Sequence, residues 1–264
     1  MNRSPATPAS APRIPVLFED NHLLVIDKPA GLATMGGLEG ESSVHQWATE
    51  YLRRRYNKPG NVFVGIVSRL DKMTTGVLVL ARTSKSAARL SIQFGGPGKS
   101  KKVSSRAEKV YLALVEGDPV KDSGLSRSGR LEDHVYHDDH GQRMRVAKQA
   151  QEHTSLARQE YKVLQNLGSA TLLAVRLQTG RKHQIRLQWA ERGHPVLGDQ
   201  KYGSKRRFAG GVALHSWRLL ITHPTTSEPL RFAAVPPSTW NRTRGEILTE
   251  AWLNECIGDW QKSS

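Results

Sequence analysis

The sequence of 264 residues is short of cysteine, of acidic residues and of long apolar runs. Its single cysteine, Cys256, excludes an internal disulfide and a zinc site built on cysteines, and it fits a reducing cytoplasm. No apolar run reaches the roughly 20 residues that span a bilayer, so we expect no membrane segment. The 24 acidic residues face 39 Lys plus Arg, which leaves a net charge of +15. This excess predicts a polyanionic partner, nucleic acid before membrane, although a merely soluble basic protein has the same composition.

The pattern of apolar and turn residues predicts three segments. Residues 1–15, rich in Pro, Ala and Ser, lack the apolar core of a secretory signal and are expected to form a flexible arm. The main domain is expected over residues 16–238. A C-terminal amphipathic helix and tail are expected over residues 239–264, with an apolar side made of Ile247, Leu248, Ala251, Trp252 and Ile257. Many short apolar runs with few helical patterns between them predict an α+β fold with a largely antiparallel mixed sheet flanked by helices and loops.

VFVGIVS, Val62 to Ser68, is predicted to form a strand. Two other stretches do not fit a strand. The run GGPGKSKKVSSRAEK over residues 95–109 has few apolar residues to bury and predicts a mobile basic loop. The segment DHVYHDDHG places three histidines, His134, His137 and His140, beside aspartates. Gly141 and the aspartates favour a hairpin turn over a metal site there, because three ligands would not converge in a turn unaided.

The stretch VSRLDKMTTGVLVLAR interrupts an apolar run with a polar segment that holds one carboxylate, Asp71. One interpretation is a surface turn between strands, since Thr-Gly is typical of turns and charged residues are usually solvated. The other is that a strand end delivers Asp71 into a functional site.

Five stretches, in sequence order, resemble the motifs of the RluA family of RNA pseudouridine synthases. SRLDKMTTGVLVLA is similar to the family signature around an aspartate, VIDKPAG to its early Lys-Pro element and KVYLALVEG to its tyrosine strand. TGRKHQIRLQWAERGHPVLGDQKYG resembles its Gly-Arg-Thr-His-Gln-Ile-Arg block, and ALHSWRLLITHP with LRFAAVPP resembles its closing strands. A single short motif matches by chance, but five in order are a strong indication. The resemblance implies a pseudouridine synthase catalytic domain over residues 16–238.

Four positions differ from the family motifs. Ser68 stands where the family has His, Thr75 where it has Ser, Lys182 where it has Thr, and Gln188 where it has His. We expect these differences to alter hydrogen bonding around the site and not its chemistry. Some family members carry a small S4-type RNA-binding domain before the catalytic one, and residues 1–15 leave no space for it ahead of the first predicted strand.

The resemblance implies three catalytic residues. Converting uridine to pseudouridine breaks the C1′–N1 bond and rejoins the base through C5, and Asp71 would be the nucleophile or base at the sugar. Arg186 would hold that carboxylate ionised, because a guanidinium stays charged and can meet a carboxylate bidentately. From residue type alone the pair could equally be an ordinary ion pair. Tyr111 would stack on the uracil, and its hydroxyl would take part in transfer of the C5 proton. The alternative is that Tyr111 is a strand tyrosine packed in the core.

The resemblance also implies substrate-binding residues. Arg69 would fill the gap left by a flipped uridine, or bind a phosphate. Ile185 would contact the other face of the base, or it belongs to the helix core. Helix spacing alone does not distinguish these two interpretations. His183 and Thr74 are expected to bind substrate too. The charge and expected mobility of the basic loop, and not the resemblance, predict that Lys99, Lys101 and Lys102 follow the RNA phosphates.

The predicted function is therefore isomerisation of uridine in structured RNA, with ribosomal and transfer RNA both open. We expect no cofactor and no metal, since the reaction involves no net redox change or hydrolysis, and we expect a monomer. The alternative is a catalytically silent RNA-binding or RNA-chaperone module of the same fold. An aspartyl phosphotransferase is excluded, because no second acidic cluster for magnesium follows a predicted strand.

Overall fold

A computed structural model describes residues 13–36, 42–96, 106–240 and 248–258. Within these ranges one mixed sheet contains eleven strands: β1 (Val16–Glu19), β2 (Leu23–Lys28), β3 (Gly65–Ile66), β4 (Thr75–Ala81), β5 (Glu108–Glu116), β6 (Ser128–Asp138), β7 (Arg143–Ala147), β8 (Ser155–Asn166), β9 (Ala170–Leu177), β10 (Leu214–Thr222) and β11 (Pro229–Ala233). Five helices accompany it: α1 (Val44–Arg55), α2 (Ser84–Gln93), α3 (Pro119–Ser123), α4 (Gln184–Glu191) and α5 (Glu250–Ile257). The predicted α+β class is confirmed.

The main path through the sheet runs β1-β2-β4-β10-β5-β9-β8-β6-β7, with β3 paired to β4 and β11 paired to β10. Among the described strands the β4–β10 pair is parallel and the other pairs are antiparallel. The largely antiparallel sheet predicted from the sequence is therefore seen.

Alternation of side chains along β2 and β4 produces two cores, one on each face of the sheet. Leu24 and Ile26 of β2 belong to the larger core, in which α1 buries Val44, Ala48 and Leu52. Leu23 and Val25 belong to the smaller core, which includes Leu90 of α2. Both faces of these strands are covered, which explains their nearly continuous apolar sequences.

Gly76 allows β4 and β10 to run side by side. Its φ is +105°, and a Cβ at this position would lie 2.2 Å from the carbonyl oxygen of Ser216. The Thr-Gly pair that resembles turn chemistry in the sequence is therefore a strand beginning, where only glycine fits this close backbone approach.

Two local predictions need correction. The strand expected over Val62 to Ser68 shrinks to β3, because Gly65 and Ile66 alone pair with the end of β4 and the chain then turns into the segment that carries Asp71. In α5 the buried residues are Leu253 and Ile257, and Ala251 is exposed, because positions four apart share one helix face. Ile247 lies outside the described residues, as do residues 1–12 of the predicted arm and residues 97–105 of the basic loop.

The hairpin predicted around Gly141 is formed by β6 and β7, which pair from Asp138 and Arg143 at the tip. Nδ1 of His137 lies 2.7 Å from Asp139 Oδ1 there. No group of three or more His, Cys, Asp or Glu side chains in the described part of the chain is arranged to hold a metal ion. None of the helices described is long and apolar enough to cross a membrane.

Candidate active site

Asp71 lies in the segment between β3 and β4, and the early VIDKPAG element together with Thr34, three residues after it, holds this segment in place. The Thr34 hydroxyl donates to the carbonyl oxygen of Leu70 at 2.8 Å and accepts from the Leu70 N–H at 3.1 Å. The Gly31 N–H donates to the carbonyl oxygen of Lys72 at 2.9 Å. The residues on both sides of Asp71 are thus fixed by hydrogen bonds to a segment about forty residues earlier.

Lys28 at the end of β2 reinforces the same contact. Its fully buried Nζ donates to the carbonyl oxygens of Pro29 and Leu32, each at 2.8 Å, and of Lys72 at 3.1 Å. These three acceptors satisfy all three donors of an ammonium group. Burial lowers the pKa of Lys28 to about 7, and the charge of Asp71 acts in the opposite direction.

A chain of carboxylate and guanidinium groups runs from the cleft into the core. Nη1 of Arg186, in α4, donates to Asp71 Oδ2 at 2.7 Å. Its other edge makes a bidentate pair with Asp199, with Nε to Oδ2 at 2.6 Å and Nη2 to Oδ1 at 2.8 Å. The side chain of Asp199 is 1% exposed, that of Arg186 is 10% exposed and that of Asp71 is 30% exposed. Asp199 therefore fixes the guanidinium plane, which in turn fixes one oxygen of Asp71.

His183 contacts the other oxygen of Asp71. Its Nε2 lies 3.7 Å from Asp71 Oδ1, and its Nδ1 lies 2.8 Å from the hydroxyl oxygen of Tyr202. His183 has a left-handed backbone, with φ of +55°, immediately before α4 begins. Burial lowers the pKa of His183 to about 4, against the attraction of Asp71 and with the repulsion of Arg186.

A cleft of about 650 Å³ opens in front of Asp71. Tyr111 of β5 and Ile185 of α4 line it, and they are 9% and 3% exposed. Burial raises the pKa of Tyr111 to about 12, so its hydroxyl is protonated at neutral pH. Thr74 lines the cleft as well, and its buried Oγ1 has no hydrogen-bond partner among the described residues.

The rim of the cleft is basic. Five cationic residues besides Arg186 line it, namely Arg69, Lys72, Lys109, Arg181 and Lys182, and Asp71 is the one carboxylate among the described lining residues. Burial lowers the pKa of Lys109 to about 8, and the neighbouring charge of Arg106 acts in the same direction. The cleft can therefore receive a polyanion and present a single carboxylate to it.

The structure brings together seven of the ten residues predicted for the site: Asp71, Tyr111, Arg186, Arg69, Ile185, His183 and Thr74. Lys99, Lys101 and Lys102 lie outside the described residues. Sequence reasoning missed Asp199 and Tyr202, although both lie in the GDQKYG end of a quoted motif. Their types and spacing were visible, but their convergence on Arg186 and His183 was not.

The four departures from the family motifs divide into two pairs. Ser68 and Lys182 line the cleft. Gln188 is buried away from it and donates to Asp133 Oδ2 at 2.6 Å. Oγ1 of Thr75 lies 2.7 Å from Nδ1 of His215. Nε2 of His215 lies 2.7 Å from the carbonyl oxygen of Ala234. The last two positions connect secondary-structure elements and do not line the cleft.

Comparison with known proteins gives matches to a single family. The sequence profile described as RNA pseudouridylate synthase matches residues 22–191. Ribosomal large subunit pseudouridine synthase D of Nitrosomonas europaea is 35% identical over 87% of this chain, which spans 64% of that protein. Ribosomal large subunit pseudouridine synthase C of Rickettsia bellii is 32% identical over 86% of this chain, which spans 70% of it.

A solved structure shares the fold. Human RNA pseudouridylate synthase domain containing 4 superposes with a TM-score of 0.67 at 22% identity, and the match covers 87% of this chain and 91% of that one. At this identity the likeness supports the fold alone. The profile match covers well over half of the sequence and includes Asp71, Tyr111 and Arg186, and the chain accordingly belongs to the RNA pseudouridylate synthase family, as its motifs predicted.

Proposed function

We propose that this protein is a site-specific RNA pseudouridine synthase that uses Asp71 as its nucleophile. The observation that carries the proposal is the asymmetric environment of the Asp71 carboxylate. Oδ2 is held by Arg186, whose position is fixed by Asp199, and Oδ1 has His183 Nε2 at 3.7 Å, beyond hydrogen-bonding distance. One oxygen is thus immobilised and the other is available to react.

The proposed reaction uses this oxygen twice. Oδ1 of Asp71 forms a bond to C1′ of the uridine while the C1′–N1 bond breaks and its electron pair leaves with the uracil. The uracil turns, C5 attacks C1′, and the carboxylate is displaced. The proton on C5 passes to the released Asp71 carboxylate, which then gives a proton to solvent. N1, which has no proton in uridine, gains one from solvent, so the enzyme is restored and no atom is gained or lost overall.

Tyr111 is proposed to support the base during this turn. Its ring and Ile185 are close to Asp71 in the same cleft, on β5 and α4. With its pKa raised to about 12, the Tyr111 hydroxyl is not itself a base at neutral pH. We propose that it orders the transfer of the C5 proton to Asp71, while its ring stacks on the uracil.

Recognition of RNA is proposed to occur at the basic rim. The exposed Arg69, two residues before Asp71, is placed to fill the gap left by a flipped uridine. Two relatives are named for the large ribosomal subunit, so we propose large-subunit ribosomal RNA as the substrate in preference to transfer RNA. Their names carry different letters, D and C, and we assign no individual uridine.

The remaining proposals concern the setting of the reaction. Bacterial relatives named for the ribosomal large subunit and the single cysteine favour the cytoplasm. We propose a monomer that needs neither metal nor cofactor, which light scattering and turnover in the presence of a chelator would test.

The proposal is tested by Asp71→Asn, with Asp139→Asn on the exposed hairpin tip as the matched control. We expect the Asp71 variant to lose pseudouridine formation while its fold and its affinity for RNA are retained, and the control to match the wild type. Pseudouridine is measured by mass spectrometry of digested large-subunit RNA, and affinity by titration. A folded Asp71→Asn protein with normal turnover would contradict the nucleophile. Normal RNA binding by a wild type that forms no pseudouridine would support the silent binding module.

A further inference from the structure

We propose that Tyr202 is a positioning residue for the reaction, because its hydroxyl fixes His183 as the tautomer whose Nε2–H points at Oδ1 of Asp71. The kinetic consequence of this inference rests on the proposed role of Asp71, but the tautomer itself does not. His183 is thereby reassigned from binding substrate to directing the nucleophile.

The direction of the hydrogen bonds follows from a backbone donor. The Met144 N–H of β7 donates to the Tyr202 hydroxyl oxygen at 3.2 Å. That oxygen therefore accepts one hydrogen bond, and the hydroxyl hydrogen needs an acceptor of its own. The atom in place is Nδ1 of His183 at 2.8 Å. With Nδ1 accepting, the proton of a neutral imidazole is on Nε2.

The other end of the ring leads to the same tautomer. Nε2 of His183 faces Asp71 Oδ1 at 3.7 Å. A bare Nε2 would direct its lone pair at a carboxylate, whereas Nε2–H directs a positive dipole at it. The doubly protonated ring is disfavoured, since burial and the charges of Arg186, Lys201 and Lys182 oppose a further positive charge.

The ring of His183 is held in place by its surroundings. It meets the Tyr202 ring edge to face, with centroids 5.6 Å apart and planes at 83°. The guanidinium of Arg186 lies 5.2 Å from the centroid of the Tyr202 ring. The left-handed backbone of His183 is uncommon for a residue other than glycine, and such a conformation persists where the surroundings enforce it.

The two oxygens of Asp71 thus receive different donors. Arg186 bonds Oδ2 directly, and His183 presents an N–H to Oδ1 from a distance too long to compete with a substrate carbon. This arrangement favours one rotation of the carboxylate and leaves Oδ1 weakly held. Tyr202 acts on Asp71 only through His183.

The tautomer is measured directly by long-range proton–nitrogen correlation spectra of the imidazoles in the free wild-type protein at neutral pH. The His183 signal is assigned by its absence in His183→Asn. We expect a protonated Nε2 and a bare Nδ1 in the wild type, and a mixture of both tautomers in Tyr202→Phe, which keeps the ring contacts. A protonated Nδ1 in the wild type would overturn the proposal.

Turnover of large-subunit RNA supplies a second test. We expect Tyr202→Phe to lower kcat by about 10-fold with little change in KM, because orientation of the nucleophile is lost and RNA binding is not. His183→Gln keeps an amide N–H near the Nε2 position, and His183→Asn does not. We therefore expect the Gln variant to be the faster of the two, even though Asn tolerates a left-handed backbone better.

The outcomes separate this inference from the proposed function. If the histidine served only the local fold, the Asn variant would equal or exceed the Gln variant, and the positioning role would be wrong. If Tyr202→Phe unfolds, the His183 pair decides the question. If Asp71→Asn retains full turnover, the nucleophile assignment fails while the tautomer measurement stands on its own.

Discussion

The cleft around Asp71 and the hairpin of β6 and β7 contain the same kinds of residue and differ in what surrounds them. In and beside the hairpin, Asp138 of β6 pairs with Arg145 of β7, and Glu132 of β6 pairs with Arg158 of the neighbouring β8; both pairs involve exposed or partly exposed side chains. In the cleft, Asp71 and Asp199 share Arg186, whose side chain is 10% exposed.

The difference teaches that residue type alone does not distinguish a site from a solvated turn. The first two pairs come from neighbouring antiparallel strands, β6 with β7 and β6 with β8. The cleft groups come from the β3–β4 segment, α4 and the segment after it, and the bonded partners lie 13 and 115 residues apart in sequence. Because the cleft residues converge from distant elements, their ion pair is removed from water. In that less polar environment, geometry and charge have stronger effects.

After the loss expected for Asp71→Asn, Tyr111→Phe is expected to produce the largest effect on the cleft side of this comparison. The ring is kept, and stacking on a base contributes roughly 1 to 3 kcal/mol, so RNA affinity should be nearly unchanged. Loss of the hydroxyl should slow isomerisation by about 10²- to 10⁴-fold if it orders proton transfer. Single-turnover release of the C5 hydrogen from labelled uridine measures this.

Tyr111→Ala is the control, since it should lose binding as well as turnover. If the Phe variant turns over like the wild type and the Ala variant fails, Tyr111 is only a stacking platform.

The next prediction compares His215, which is buried, with the exposed histidines of the hairpin. Burial lowers the pKa of His215 to about 4, from an ordinary value of 6.5. The folded state therefore binds fewer protons than the unfolded state between these values, and stability should fall as the pH drops from about 6.5 to 4. A difference of 2.5 in pKa corresponds to about 3 kcal/mol in the free energy of unfolding.

Denaturant unfolding of wild type and His215→Gln across this pH range checks the sign. The variant should be less stable at neutral pH and should lose less on acidification. The same substitution at exposed His140 serves as the control. Parallel stability curves for wild type and His215→Gln would contradict a role for His215.

Arg186→Lys tests whether the shape of the cation matters in the cleft. Lysine keeps the charge but cannot bond Asp199 through two donors and Asp71 through a third in one plane. We expect turnover to fall by at least about 10-fold through poorer positioning of the carboxylate. Unchanged kinetics would show that the pair is only a structural ion pair.

Asp138→Ala on the hairpin should have the smallest effect. Its partner Arg145 is exposed and remains hydrated when the carboxylate is removed. We expect no measurable change in turnover or in the midpoint of thermal unfolding. A loss of activity comparable to that of Arg186→Lys would show that the hairpin contacts substrate and would remove the contrast between the two regions.

Much of the fold was predictable from local pattern. The nearly continuous apolar runs of β2 and β4, and the capping Ser43 before α1, carry their signals within a few residues. The strand expected over Val62 to Ser68 was wrong, because apolar content does not reveal how many residues find a partner strand.

The sequence by itself determined the family and the basic charge of the chain, and it grouped Asp71, Tyr111 and Arg186 as the candidate catalytic set, because motifs in fixed order carry these residues. Only the tertiary structure decided that Asp199 locks Arg186, that Lys28 and Thr34 hold the segment around Asp71, and that Tyr202 reaches His183. These contacts join residues from separate elements, and their energies depend on burial and distance, which no single stretch of sequence specifies.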